Sequence, residues 1–85
     1  MMDAFYKINP TFDTPYRQLT LERDNKGWQV RLIGGTKWGR ENAQDLEKVH
    51  VPTFDSGHEI YHKMCFELQS EGWKVYTPQT RWCIT

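Results

Sequence analysis

Between Tyr16 and Ile33 the chain alternates apolar and polar residues on both sides of a four-residue turn, and this pattern limits the fold more than any other stretch. Leu19 and Leu21 alternate with Gln18, Thr20 and Glu22, and Trp28, Val30 and Leu32 alternate with Gln29, Arg31 and Ile33. A period of two is that of a half-buried strand, so both segments are predicted as strands with an apolar face. Asp24-Asn25-Lys26-Gly27 is the turn that joins them, since Asn25 and Gly27 both tolerate left-handed backbone. Gly34-Gly35 permits φ > 0 at successive positions and predicts a second reversal, with a return strand beginning just past Gly35 and carrying Lys37, Trp38 and Arg40.

A sheet with one apolar face needs a second layer. The segment from about Gly57 to Glu71 provides it as a helix, with Asp55 or Ser56 as N-cap, Glu59 in the first turn and Gly72 as C-cap. On a helical wheel Ile60, Tyr61, Met64, Cys65 and Leu68 share one arc, and Glu59, Lys63, Glu67 and Ser70 lie opposite. Glu41–Glu47 is polar and is expected to be a loop or a single helical turn. Val49 and Val51 alternate with Lys48 and His50 as a short strand, and Pro52 indicates an edge position or the strand's end. Trp73–Tyr76 and Arg81–Ile84 are expected as the last strands. Residues 1–14 hold Phe5, Tyr6 and Phe12 without a period and are interrupted by Pro10, so they are expected to be an arm with room for partial disorder. The predicted fold is α+β: a small antiparallel sheet of four or five strands with one amphipathic helix packed on one face. Residues 15–85 form its single domain.

The chain has 85 residues, and a domain of that size buries only about 60 to 65% of the surface its unfolded form exposes. Four Trp, four Tyr and four Phe thicken the thin core that results. Eleven basic and eleven acidic residues give zero formal charge, which excludes a polyanion binder driven by its overall field. Any nucleic-acid contact must come from a local patch. Up to Arg40 the chain carries seven cations against four carboxylates, so its first half holds such a local excess. There is no apolar run long enough for a membrane span or a signal-peptide core, which gives the cytoplasm as the default compartment. Cys65 and Cys83 fit neither zinc-finger spacing nor a disulfide scaffold, and both are expected as free thiols in a reducing compartment, with a bridge between them left open.

The stretch from Gly34 to Arg40 concentrates the chemistry. In an extended strand Trp38 and Arg40 share a face, and Gly39 between them would let another backbone, a ligand's included, come close. An indole beside a guanidinium can hold a sugar or base by stacking and a phosphate by charge-assisted hydrogen bonds. The ordinary use of the same residues is a buried hairpin tryptophan beside a surface arginine. The order Tyr16-x-x-Leu19-x-Leu21, Asn25-Lys26-Gly27-Trp28, Trp38-Gly39-Arg40, Phe54-Asp55-Ser56 before a helix and Gly72-Trp73 after it resembles the WGR domain. This is a small sheet-plus-helix module of poly(ADP-ribose) polymerases and of small bacterial proteins, and the resemblance covers roughly Tyr16 to Tyr76. It implies a non-enzymatic, cofactor-free nucleic-acid-binding module in which Trp38 packs on a nucleotide sugar and Arg40 helps fix the site. Lys37 and Arg31 are the supporting cations.

Two other classes compete. A protein-interaction module, of the kind small phage or prophage proteins provide, would present exposed aromatics to a protein partner, and the neutral net charge suits it. His58-Glu59-Ile60-Tyr61-His62 matches H-E-x-x-H, the zinc peptidase pattern in which two His one turn apart bind metal and the Glu activates water. A catalytic centre also needs a third ligand, for which His50, Glu67 and Glu71 are the candidates, and a cleft that 85 residues leave little material to build. The expectation is therefore two helix-surface histidines with no catalytic metal centre, and adventitious zinc or nickel binding by His58 and His62 is left open.

Overall fold

The computed structural model describes residues 1–7 and 13–76. The expected strand Arg81–Ile84, and with it Cys83, lies outside them. The elements are β1 (Met2–Tyr6), β2 (Tyr16–Asp24), β3 (Gly27–Gly35), a single 3-10 turn (Arg40–Asn42), β4 (Gln44–Val51), α1 (Phe54–Ser70) and β5 (Lys74–Tyr76). The strands form one five-stranded sheet in the order β4-β3-β2-β1-β5, and every neighbouring pair is antiparallel. One helix packs against it, which makes this a small α+β fold.

The central hairpin follows the alternation. β2 and β3 pair from Tyr16↔Gly35 to Asp24↔Gly27, leaving Asn25-Lys26 as the loop, where Asp24 Oδ1 accepts a hydrogen bond from the Lys26 amide at 2.8 Å. Partners across a ladder share a face. Leu19, Leu21, Trp28, Val30, Val49, Phe5 and Val75 thus fall on the helix side, and Phe5, Leu19 and Val30 are fully buried there. Tyr6, Tyr16, Gln18, Thr20, Arg31, Ile33, Lys48 and Tyr76 fall on the other face, which no helix covers among the described residues.

Three expectations are corrected. Met2–Tyr6 is no arm: β1 lies inside the sheet between β2 and β5, and Phe5 anchors it in the core. Gly34 and Gly35 do not turn, because β3 runs through both, in register with Arg17 and Tyr16, and neither has positive φ. What they lack is needed for space: a Cβ at Gly35 would sit 2.5 Å from the Asn42 carbonyl oxygen. The return strand does not begin just past Gly35 and does not carry Lys37, Trp38 or Arg40. It is β4, which begins at Gln44, includes the expected Val49–Val51 strand and contains an irregularity opposite Leu32/Ile33. Its polar sequence follows from its position. As an edge strand it leaves Gln44–Lys48 exposed, and charged residues with a bulge are what an edge strand tolerates.

α1 begins earlier than expected. Thr53 is the N-cap, accepting from the Ser56 amide at 3.2 Å, and the early start lets Phe54 pack edge-on against Trp28, 5.1 Å between centroids. At the other end Gly72, at φ 100°, makes the left-handed stop, with Gly72 N–H donating to Gln69 and Trp73 N–H to Leu68. Gly57, Tyr61, Met64 and Leu68 are the buried positions, and Ile60 and Cys65 pack at the margin. Cys65 is a free thiol whose pKa burial raises, so it holds less thiolate than an exposed cysteine. Among the described residues no helix is long and apolar enough to cross a membrane.

Two features of α1 generate predictions. A Cβ at Gly57 would lie 2.7 Å from Leu21 Cδ1, and Leu21 is only 2% exposed. Gly57→Ala should therefore destabilise the domain in urea titrations, because overpacking of about 1 to 3 kcal/mol exceeds the propensity gain of about 1 kcal/mol; a stabilised variant would contradict this packing. The Tyr61 hydroxyl donates to Asp3 Oδ2 at 2.5 Å, and burial, then that bond, raises its pKa above 10.0. A raised acid favours its neutral form in the fold, so this contribution is complete below pH 10.0 and is lost as pH climbs toward the folded value. Tyr61→Phe should show a shallower alkaline loss of stability than wild type, and equal slopes would exclude the linkage.

Candidate nucleic-acid interface

The connection from β3 to β4 is bent by Gly39, at φ 118°, which opens the 3-10 turn Arg40–Asn42. A side chain there would meet the Glu41 carboxylate, 2.7 Å from a built Cβ, so Gly39 serves the chain's own turn. Asn42 closes it by donating from Nδ2 to the Trp38 carbonyl at 3.0 Å. Trp38 and Arg40 therefore belong to a folded loop and not to a strand.

That loop lays Trp38 on the sheet face away from α1. Its ring meets Tyr16 edge-on at 4.9 Å and Tyr76 at 5.2 Å between centroids, and Tyr76 in turn meets Tyr6 at 6.1 Å. Beneath them Tyr16 donates to Gln18 Oε1 at 2.7 Å, and Gln18 Nε2 contacts Met2 Sδ. Tyr16, Gln18 and Ile33 are each buried on this side. Trp38 itself is half-buried, so it is both a cover for this small second cluster and part of the surface.

The expected cations divide. Arg40 and Lys37 are exposed on the loop beside Trp38. Burial raises the Tyr16 phenol's pKa, while Arg40 pulls it down and Glu41 pushes it up, so both charges act on the aromatic cluster. Arg31 sits farther along β3 on the same face, and its Nε donates to Asp45 Oδ1 at 2.6 Å. Lys48 Nζ lies 3.7 Å from the other oxygen of that carboxylate, whose pKa is lowered chiefly by the Arg31 hydrogen bond. Arg31 is thus already partnered by an anion. Tyr16, Tyr76 and Tyr6 are the neighbours that the reading of the sequence did not assign to the site. The signal for Tyr16 was its parity, because the alternation that buries Leu19 and Leu21 turns Tyr16 the other way.

Of the H-E-x-x-H residues, His58 stacks on Phe54 at 5.5 Å and meets His62 edge-on at 4.3 Å between centroids. Among the described residues there is no group of three or more His, Cys, Asp or Glu side chains that could hold a metal ion. Elsewhere a shallow depression at the β2–β3 turn is lined by Asp24, Asn25, Lys26, Gln29 and His50, with His50 Nδ1 2.9 Å from Asp24 Oδ2. That hydrogen bond lowers the Asp24 pKa.

Comparison of the chain with protein-family models, curated proteins and solved structures found no match. Trp38→Ala should destabilise the domain by about 1 to 3 kcal/mol, since two aromatic contacts of about 0.5 to 1.5 kcal/mol each are lost. Chemical denaturation measures this, and an unchanged midpoint would mean that the ring does not hold these contacts.

Proposed function

We propose that this domain is a non-enzymatic nucleic-acid-binding module that engages a sugar-phosphate unit with Trp38 and Arg40, as its resemblance to the WGR domain implies. The observation that carries the reading is Trp38, half-buried on the sheet face opposite α1 between Tyr16 and Tyr76, with exposed Arg40 two residues away on the same loop. A rigidly held indole offers a stacking surface at little entropic cost, and the adjacent guanidinium matches a phosphate. Lys37 adds a point charge. Arg31 contributes less, because Asp45 already neutralises it. Few phosphates are engaged, so binding is of modest affinity and directed to single-stranded regions or ends.

The competing reading is a protein partner docked on the same aromatic face, which the balance of eleven cations and eleven anions favours. Fluorescence anisotropy with short labelled single strands and duplexes at several salt concentrations separates the two. Wild type should bind with a log-log salt slope of about −2 to −3. Trp38→Ala should weaken binding by the equivalent of about 1 to 3 kcal/mol with the slope kept, and Arg40→Ala should lower the slope by about one unit. Arg31→Ala should change both less than Arg40→Ala does. Absence of binding at low salt and high micromolar protein would replace this reading with the protein-partner one.

A further inference from the structure

Two further cations meet at the same end of the sheet, on the helix side. Lys7 Nζ lies 5.0 Å and Arg17 Cζ 4.8 Å from the centroid of the Trp73 ring. Trp73 is 6% exposed and is fixed at the end of α1 by its backbone N–H, which donates to the Leu68 carbonyl at 3.0 Å. Arg17 is also held: its Nη1 donates to the Tyr16 carbonyl at 2.8 Å, and Gly34 opposite leaves its side chain room, since a Cβ there would stand 2.7 Å from Arg17 Cδ. An indole attracts each cation but cancels neither charge. Two like charges over one ring repel, and among the described residues neither is ion-paired. A shared anion would relieve the repulsion, and a guanidinium and an ammonium held on one ring both suit the oxygens of a phosphate.

We infer that Lys7 and Arg17, seated on Trp73, form a second phosphate site that takes the backbone of the same nucleic acid where it passes around the end of the sheet. The inference rests on the nucleic-acid reading above. Its geometry comes from β2. Tyr16 faces Trp38, and the next residue, Arg17, faces Trp73, because consecutive strand residues point to opposite faces. The two sites are therefore back to back across one sheet end. A strand that only covers Trp38 reaches one of them, and a longer strand reaches both.

The test compares labelled single strands of about four and about twelve nucleotides, the span of site sizes common for small single-strand binders. Lys7→Gln and Arg17→Lys are examined beside wild type and Trp38→Ala, with folding checked by circular dichroism. Lys7 is exposed, so its variant reports even where Arg17→Lys fails to fold. On the longer strand Lys7→Gln should weaken binding about 3- to 10-fold and lower the salt slope by about one unit, with the shorter strand unaffected. Trp38→Ala should weaken both. Wild-type affinity and slope for Lys7→Gln on the longer strand would overturn the second site and leave the Trp38 site standing. Failure of wild type to bind either strand would overturn both.

Discussion

The rest of the structure depends on a single helix having to cover one face of a five-stranded sheet. α1 leaves the edge strand β4 and delivers the chain to the opposite edge, β5. Four strand spacings amount to about 19 Å, and seventeen helical residues extend about 25 Å, so the helix is long enough to cross the sheet at a slant. It must also lie close. Gly57 allows its first turn to touch Leu21, while Tyr61, Met64 and Leu68 carry the contact onward to Trp73. A stop by Gly72 then places Trp73 in the core and starts β5.

Among the described residues the second face of the sheet has no helix or strand layer of its own. The chain meets this partly with the β3–β4 loop, which folds Trp38 over Tyr16 and Tyr76 above the buried Gln18 and Ile33. The same ring that covers this cluster remains half-exposed, and the proposed function rests on that dual position. A tryptophan wholly inside the core would offer a ligand nothing.

Charge is distributed so that cross-strand pairs hold the middle and far end of this face. Arg31 with Asp45 is such an ion pair and His50 with Asp24 such a hydrogen bond, and exposed ion pairs contribute little to stability. The consequence of the Arg31–Asp45 pair is to neutralise that part of a chain whose net charge is already zero. Arg40 on the open side and Lys7 with Arg17 on the helix side all lie toward the sheet end that bears Trp38. A local field at one end is compatible with overall neutrality, because salt screens charges more than about 10 Å apart at ordinary ionic strength.

The sequence by itself determined the elements whose signals are local. Alternation around Asp24–Gly27 specified the β2–β3 hairpin, and the spacing of Tyr61, Met64 and Leu68 with Gly72 beyond specified the helix and its stop. The α+β class followed from those two. Strand order was not legible, because alternation reports that a strand is half-buried and says nothing about its neighbours. Met2–Tyr6 is too short to display a period, and its place between β2 and β5, with Phe5 in the core, joins segments far apart in the chain. The Gly34-Gly35 turn was misplaced because a glycine required for space looks the same in sequence as one required for its backbone angle. Only the tertiary structure could bring Tyr16, Trp38 and Tyr76 together, or Lys7, Arg17 and Trp73, since each set joins residues whose contact depends on which strands lie side by side.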